Sequence, residues 1–545
     1  MSAPAPLPPD GCPDDAPGAV EIGFSVPGRF NAAQVLFDNL ARGNGDRPAV
    51  RGPAGTLTYA ELCAAAARFG HALLALGLAR GERVLLLLDD TPAMPAAFFG
   101  ALRAGLVPVP VNTLTPPELI RFYLEDTGAR AAVLEAGLAE AALPAAGGTA
   151  LRTAVVANGE PPTAAAVPGV AVTAAARFTE GHLGTLQDAD THRDDMAFWL
   201  YSSGSTGRPK GIVHLQHDMA YTAASYARHV LRLSPEDICF SVPKIFFAYG
   251  LGNSLTFPFA AGASSVLMPG RPEPAAVFRA IAAHRPTVLF GLPTLYTALA
   301  HAPEAAAGAD TRSLRLCVSA AEVLSEEVAA LWRARTGLDI VEGLGSTEVL
   351  HIYLSNTAEA RRPGAAGRRV PGYELRLLDP DGAREVADGE EGILWVRGHS
   401  NAPGYWNQPD KTAETMREAG WIFTGDRFLR DAEGFHHFRG RADDLVKVSG
   451  QWVHPMEVEL CLANHPAVRE VAVLAVPLPD RRTTLRAFVV PADPAADPAA
   501  LAAALQAHAK AALLPYKYPR QVGVMEALPK TGTGKIDRQA LRGRR

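Results

Sequence analysis

Between about residue 32 and residue 440 the chain alternates two hydrophobic rhythms. "LTYAELCAAAARFGHALLALGL" (57–78) repeats apolar residues at helical spacing. "ERVLLLLDD" (82–90), which follows it, is an unbroken apolar run of strand length ending in two acids. "AFWLYSS", "TVLFGLP" and "LRLCVSA" are further short apolar runs that end in small or polar residues. This alternation predicts an α/β fold whose ligands gather in loops at the C-terminal ends of the strands. The Ala-, Pro- and Gly-rich stretch 137–180 reads as surface, and no repeat is visible.

The texture changes after "FRGRADDLVKVSG" (438–450). "HPMEVELCLANHP" reads as a helix, and "REVAVLAVP" and "TLRAFVVPA" as strands. "DPAALAAALQAHAKAALL" reads as a second helix, with Asp497 as N-cap and Pro498 in its first turn. "RQVGVME" is a last strand before the loop "LPKTGTGKID". The expected division is a Pro- and Asp-rich disordered leader over 1–29, a large multi-sheet α/β domain over 30–442, and a small α+β domain over 443–545.

Composition narrows the function class. A chain of 545 residues exceeds one hydrophobic core, and 48% apolar with 20% charged residues is ordinary for a folded protein. Lys and Arg number 52 against 57 Asp and Glu, a net charge of −5, which argues against broad nucleic-acid binding. Anionic substrates would therefore need a few local cations. The cysteines Cys12, Cys63, Cys239, Cys317 and Cys461 are scattered without CxxC or metal spacing, so free thiols are expected. No basic, apolar start marks a signal peptide, and no run approaches the roughly 18 apolar residues of a membrane helix. A cytoplasmic location with no membrane or nucleic-acid partner is the expectation. Monomer and homodimer both stay open.

Two loops carry phosphate chemistry as candidates. "YSSGSTGRPKGIVHL" (201–215) offers hydroxyls and backbone amides that suit an anion. It is not GxxxxGK[ST], because Pro209 and Gly211 stand where Gly and Ser/Thr are required. "TGTGKID" fails the same count at Pro529 and Ile536. However, "YSSGSTGRPKGIVH", "GLGSTEVLH", "GYWNQPD", "IFTGDRFLRDAEGFHHFRGRADDLVKVSGQWVHPMEVE" and "LPKTGTGKIDRQAL" follow one another in a familiar order. From about residue 30 to the end the chain resembles the adenylate-forming enzymes: acyl- and aryl-CoA synthetases, peptide-synthetase adenylation domains and luciferase.

The resemblance implies roles at matching positions. Ser202, Ser203, Gly204, Ser205, Thr206, Gly207 and Lys210 would grip the β- and γ-phosphates of ATP as pyrophosphate leaves. Thr347 would contact the α-phosphate, and Glu348 would help to hold Mg²⁺, a hard cation suited to oxygen ligands. Ala321 and Glu322 fall in the adenine-side element, with Ala321 where the family commonly has glycine. Asp426 would accept from the ribose hydroxyls and Arg441 would support the same ribose. Lys535 would stabilise the adenylation transition state, in which two anions meet and cations matter more than an acid or base. A lysine near the end of a separate small domain implies a mobile lid. One orientation would deliver Lys535; another, turning at Asp443, would open a thiol channel lined by Lys447, Ser449 and Gly450.

Within the superfamily, "KIFFAYGLGNSLTFPFAAGASSVLMPGRP" (244–272) and "EGLGSTEVLHIYLSN" (342–356) look like the benzoate-CoA ligase group. Leu344 stands where many relatives carry an aromatic. Ala248, Tyr249, Gly250, Gly345, His351 and Ile352 match that group's acid pocket, with Gly250 leaving room beside Tyr249. Phe246 and Phe247 are either pocket wall or core, and His351 either faces the carboxylate end or packs. Tyr353 places a hydroxyl near the pocket strand, which keeps hydroxy- and amino-benzoates in view. The implied reaction takes an aromatic carboxylate and ATP to aryl-AMP and pyrophosphate, then transfers the aryl group to coenzyme A. Arg481, Arg482 and Arg486 are candidates for its phosphates or a solvated face. The alternative acceptor is a carrier-protein phosphopantetheine thiol. A fold that kept binding and lost chemistry, and a luciferase-like oxygenase, are the remaining rivals.

Overall fold

The computed structural model describes residues 17–542 except 164–166, 203–207, 323, 443–445, 449–450, 454, 478–482 and 531–535. Apolar runs become strands and helical patterns become the layers that cover them. The 57–78 pattern forms the helix Tyr59–Ala75. The Thr58 hydroxyl accepts from the Glu61 amide, and Glu61 Oε2 accepts from the Thr58 amide at 2.8 Å, a reciprocal cap that fixes the first turn. Its apolar stripe, including Leu62, Ala66, Phe69 and Leu73, is buried against the helix Ala93–Arg103. Full burial of a residue such as Leu73 contributes about 1.5–3 kcal/mol.

Two large sheets organise the chain up to about residue 370. In a five-stranded parallel sheet the order is Val107–Pro110, Arg83–Leu87, Ala131–Glu135, Thr153–Ala157 and Ala171–Ala174. The stretch expected as surface over 137–180 thus supplies two of these strands. "TAVVA" is a buried strand hidden in alanine-rich composition, with Val155 and Val156 fully covered. In the nine-stranded sheet, Pro48–Gly52, Ser264–Val266, Ile238–Ser241, Val288–Gly291, Leu316–Ala320 and Ile340–Gly345 run parallel. Gly55–Thr58, Ile352–Ser355 and Arg368–Arg369 are antiparallel at its margins. The hairpin Met196–Ser202/Lys210–Leu215 and an antiparallel sheet of Glu374–Leu378, Glu391–Arg397, Trp421–Arg430 and His436–Arg441 complete this part.

Part of the leader expected over 1–29 is ordered. Pro17–Ile22 is a short helix whose Ala19 and Ile22 are buried, and Glu21 holds both terminal nitrogens of Arg369 at 2.7 and 2.8 Å. Burial of these apolar residues and this ion pair hold the short helix against the rest of the fold.

The C-terminal pattern appears as the strands Val446–Val448, Gln451–Val453, Val468–Pro477, Thr483–Pro491 and Gln521–Val524, with the helices Pro455–Ala463 and Pro498–Ala512. Asp497 caps the latter by accepting from the Ala500 amide at 2.9 Å. The two apolar clusters here draw only on residues between Val446 and Leu541. Cys63, Cys239, Cys317 and Cys461 are free thiols. No helix among the described residues is long and apolar enough to cross a membrane.

Candidate active site

The phosphate-loop candidate lies at the turn of the hairpin, where Ser202 pairs with Lys210 across the strands. Ser203, Gly204, Ser205, Thr206 and Gly207 lie outside the described residues. Both strands are buried on their two faces, Trp199 and Val213 included, and Lys210 begins the second strand with its ammonium 4.8 Å from the centre of the Tyr405 ring. The segment carrying Tyr405 is laced to the same strand: Trp406 donates its amide to the Gly211 carbonyl at 2.7 Å, and Val213 donates to Gly404 at 3.2 Å. A Cβ at Gly211 would make only ordinary van der Waals contact there, 3.5 Å from Trp406 Cβ, so the backbone bonds and not the glycine's smallness hold the two segments together.

Tyr405 joins two candidate residues. Its hydroxyl donates to Glu348 Oε1 at 2.8 Å, while the Glu348 carbonyl accepts from Ala402 at 2.7 Å. Burial and the adjacent Glu348 carboxylate push the Tyr405 phenol far up, so it remains a donor. Thr347 and Glu348 occupy the short turn Thr347–Val349 after the strand Ile340–Gly345. The Thr347 carbonyl faces His214 Nε2 at 2.9 Å, and His214 Nδ1 faces the buried Asp218 carboxylate at 2.9 Å. This brings Lys210, Thr347 and Glu348 onto one framework, to which His214, Asp218 and Tyr405 were not expected to contribute. Tyr405 was visible in the quoted "GYWNQPD", but its partner lies 57 residues away.

Asp426 and Arg441 stand opposite each other on paired strands. Arg441 Nη1 contacts Asp426 Oδ1 at 3.1 Å and donates to the Thr424 carbonyl at 2.8 Å. Ala321, just beyond the strand Leu316–Ala320, keeps a glycine-like φ of +75°. The substitution there leaves the left-handed turn in place and loads it with strain. Glu322 follows it directly. Nearby, burial pushes the Glu342 carboxyl up to about 7, opposed by the Leu324 amide and Arg361.

The acid-pocket candidates also come together. Leu350 adopts φ +70° and ψ −33°, and this turn reverses the chain so that Ile352 pairs with Gly345. Gly345 is needed there, because a Cβ would sit 2.3 Å from the His351 carbonyl oxygen. The His351 ring lies 5.5 Å from Tyr249, 5.2 Å from Tyr226 and 4.5 Å from Phe257. Burial lowers the His351 pKa to about 3, so the ring is neutral at physiological pH. Ala248 is buried in the same short helix, Ala248–Leu251. Gly250 answers a different need from the one expected: a Cβ would fall 1.9 Å from the Lys244 carbonyl oxygen, so its smallness admits backbone and not the ring of a substrate. Phe246 is buried and packs edge-on against Phe247 at 4.6 Å.

Tyr353 also departs from expectation. It alternates to the other face from Ile352, and the charges acting on its buried hydroxyl are Asp426, Glu348 and Arg441, all nucleotide-side candidates. The polar atoms around His351 are different ones. The His351 ring nitrogens, the Asn253 side-chain amide and the Tyr226 hydroxyl are buried, and their nearest polar partners, Tyr249 for the first two and Ser355 for the third, meet them outside ordinary hydrogen-bond geometry. Each such atom costs about 1–3 kcal/mol unless a ligand or water meets it.

Asp443, Ser449, Gly450 and Lys535 lie outside the described residues, as do Arg481 and Arg482. Lys447 lies in Val446–Val448, opposite Trp452. Arg486 lies over the Phe488 ring at 4.8 Å. Among the described residues no three His, Cys, Asp or Glu side chains gather as a metal site. Glu348 supplies a carboxylate, a hard oxygen donor of the kind that suits Mg²⁺ shared with phosphate oxygens.

Residues 37–406 match the AMP-binding enzyme family, and residues 457–535 match the AMP-binding enzyme C-terminal domain. The chain is 43% identical over 522 residues to a benzoate–CoA ligase of Thauera aromatica, covering 95% of this chain and 97% of that one. It is 42% identical to a 4-hydroxybenzoate–CoA/benzoate–CoA ligase of Rhodopseudomonas palustris, covering 94% of each. The crystal structure of the anthranilate CoA ligase AuaEII with anthranoyl-AMP superposes with a TM-score of 0.89 at 35% identity, covering 95% of this chain and 97% of that one. The chain therefore belongs to the AMP-binding, adenylate-forming enzymes, in their benzoate-CoA ligase group.

Proposed function

We propose that this enzyme joins benzoate, or a benzoate bearing a hydroxyl or amino group, to coenzyme A through an aryl-adenylate. One observation carries the reading. The turn at Leu350 sets Glu348, tied through Tyr405 to Lys210, three residues before His351, which is enclosed by Tyr226, Tyr249 and Phe257. A phosphate-side group and an aromatic-walled acid side are thereby neighbours in the chain and in space.

In the first step a carboxylate oxygen attacks the α-phosphorus of ATP and pyrophosphate departs. Lys210 and the hydroxyl loop 202–207 hold the leaving group, Thr347 positions the α-phosphate, and Asp426 with Arg441 fixes the ribose. Mg²⁺ at Glu348 would offset phosphate charge. Lys535 supplies the cation between the two reacting anions. In the second step the thiolate of coenzyme A attacks the aryl carbonyl carbon and AMP leaves, with the lid turned at Asp443 so that the Lys447, Ser449 and Gly450 face lines the thiol path. The neutral His351 ring and the buried Asn253 and Tyr226 polar groups beside Tyr249 are compatible with a bare ring and with a ring carrying a small hydroxyl or amino group. A cytoplasmic setting, where ATP and coenzyme A are available, completes the reading.

The test is a panel of benzoate, its hydroxy, amino and halo derivatives, cinnamates and short fatty acids, with ATP, Mg²⁺ and either free coenzyme A or a phosphopantetheinylated carrier. Mass spectrometry of the products should show benzoyl-, hydroxybenzoyl- or aminobenzoyl-CoA. Preference for aliphatic acids would overturn the aryl assignment. Product formed only on the carrier would transfer the second step to the alternative acceptor.

A further inference from the structure

A charged cluster outside the nucleotide framework stands where the two large sheets meet. The strand Arg83–Leu87 of the five-stranded sheet runs out into Asp89 and Asp90, and the strand Ile238–Ser241 of the nine-stranded sheet runs out into Lys244 and Ile245. The Lys244 ammonium donates to Asp89 Oδ1 at 2.8 Å and to the Met268 carbonyl at 2.6 Å, with Asp90 Oδ2 at 4.0 Å. Asp90 Oδ1 accepts from the Ile245 amide at 3.2 Å, and Asp89 Oδ2 accepts from the Gly270 amide at 2.6 Å. The Asp89 amide in turn donates to Glu135 at 3.2 Å, on a neighbouring strand of the same sheet.

The backbone of Lys244 also anchors the next helix. Its carbonyl accepts from the Phe247 amide at 3.1 Å, and it is the atom against which Gly250 packs without a Cβ. The helix Ala248–Leu251, which carries Tyr249, therefore starts from a point fixed by Lys244. The Lys244 and Asp90 side chains are 14% and 2% exposed, so the cluster is shielded from water. A buried ion pair is a weak source of stability, because desolvation offsets most of the attraction, but it tolerates little displacement. Its effect is therefore chiefly geometric.

We propose that Lys244, gripped by Asp89 and the Met268 carbonyl, is a positioning residue for the acid pocket: it pins the loop of one sheet to the strand end of the other and thereby sets Tyr249 against His351. The proposal rests on the reading that Tyr249 and His351 contact the acid.

The test uses Lys244→Met, Lys244→Arg and Asp89→Asn in the full chain. ATP–pyrophosphate exchange is measured at varied acid and at varied ATP, with thermal midpoints alongside. Lys244→Met and Asp89→Asn should each raise KM for the preferred acid about tenfold, leave KM for ATP within about twofold, and lower kcat less than they raise that KM. Lys244→Arg should recover part of the loss, and the double variant Lys244→Met/Asp89→Asn should be no worse than the more impaired single variant. Equal rises in both KM values, or an unchanged KM for the acid, overturn the proposal. If Lys244→Met does not fold, Asp89→Asn and Lys244→Arg decide by the same comparison. If the wild-type enzyme accepts no aromatic acid, the aryl reading fails on its own, and the KM comparison made with its actual acid still decides the pin.

Discussion

Tyr405 separates the letters of a motif from their use. The family resemblance pointed to Lys210 and Glu348 individually, but the hydroxyl and ring that hold them in one spacing emerge only from contacts across the fold. Tyr405→Phe keeps the ring under Lys210 and removes one hydrogen bond to a carboxylate, a contact of about 1.5–3 kcal/mol. Aryl-AMP formation should slow roughly tenfold and need more Mg²⁺, with KM for the acid nearly unchanged. Pyrophosphate exchange across a magnesium series checks this, and an unaltered series would remove Tyr405 from the framework. Ala321 was visible as a departure from glycine, whereas its retained φ of +75° was not. Ala321→Gly should therefore leave the thermal midpoint unchanged or higher, while Ala321→Val should cost about 2 kcal/mol in urea unfolding. His351 gives a pH signature. Its pKa is lowered from 6.5 to about 3 on folding, so on acidification the unfolded chain takes up the proton first and stability falls as pH drops below about 6.5. Between pH 7 and pH 5 the wild type should lose about 2 kcal/mol more than His351→Gln. Parallel urea curves for the two proteins would show that His351 is not buried in this way.

At the scale of elements, periodicity and caps carried most of the information. The pattern 57–78 and the Thr58/Glu61 pair delimit the helix Tyr59–Ala75, and Asp497 delimits Pro498–Ala512. Composition misled where it masked pattern: Thr153–Ala157 lies in an alanine-rich stretch that reads as surface, yet it is a buried strand of the five-stranded sheet. Glycine was legible as a signal and its reason was not. At Gly250 the constraint is the Lys244 carbonyl 1.9 Å from a notional Cβ, which no local window of sequence reveals. Gly250→Ala should displace the helix Ala248–Leu251 and cost about 3 kcal/mol or more, with acid activation lost before ATP binding. Nucleotide fluorescence titration beside pyrophosphate exchange would tell these apart, and an active, stable Gly250→Ala protein would contradict the packing.

For the whole molecule, the residues between Val446 and Leu541 carry two apolar clusters of their own. A reaction divided between two orientations of that segment predicts a divided phenotype. Lys535→Ala should abolish acyl-adenylate formation and leave thioester formation from supplied aryl-AMP largely intact, measured as separate half-reactions. Equal loss of both would sink the two-orientation account. The sequence alone determined the alternation that yields the layered α/β fold, the ordered motifs that define the family, and the residue types that chemistry on phosphate requires, because these are properties of local pattern and spacing. Only the tertiary structure decided that Tyr405 bridges Lys210 and Glu348, that Tyr353 faces the charges of Asp426, Glu348 and Arg441, that His351 is buried and neutral, and that Lys244 ties the loop before Ala248–Leu251 to the other sheet. Those facts depend on which distant segments pack together and how much water they exclude, and neither quantity is carried by neighbouring residues in the chain.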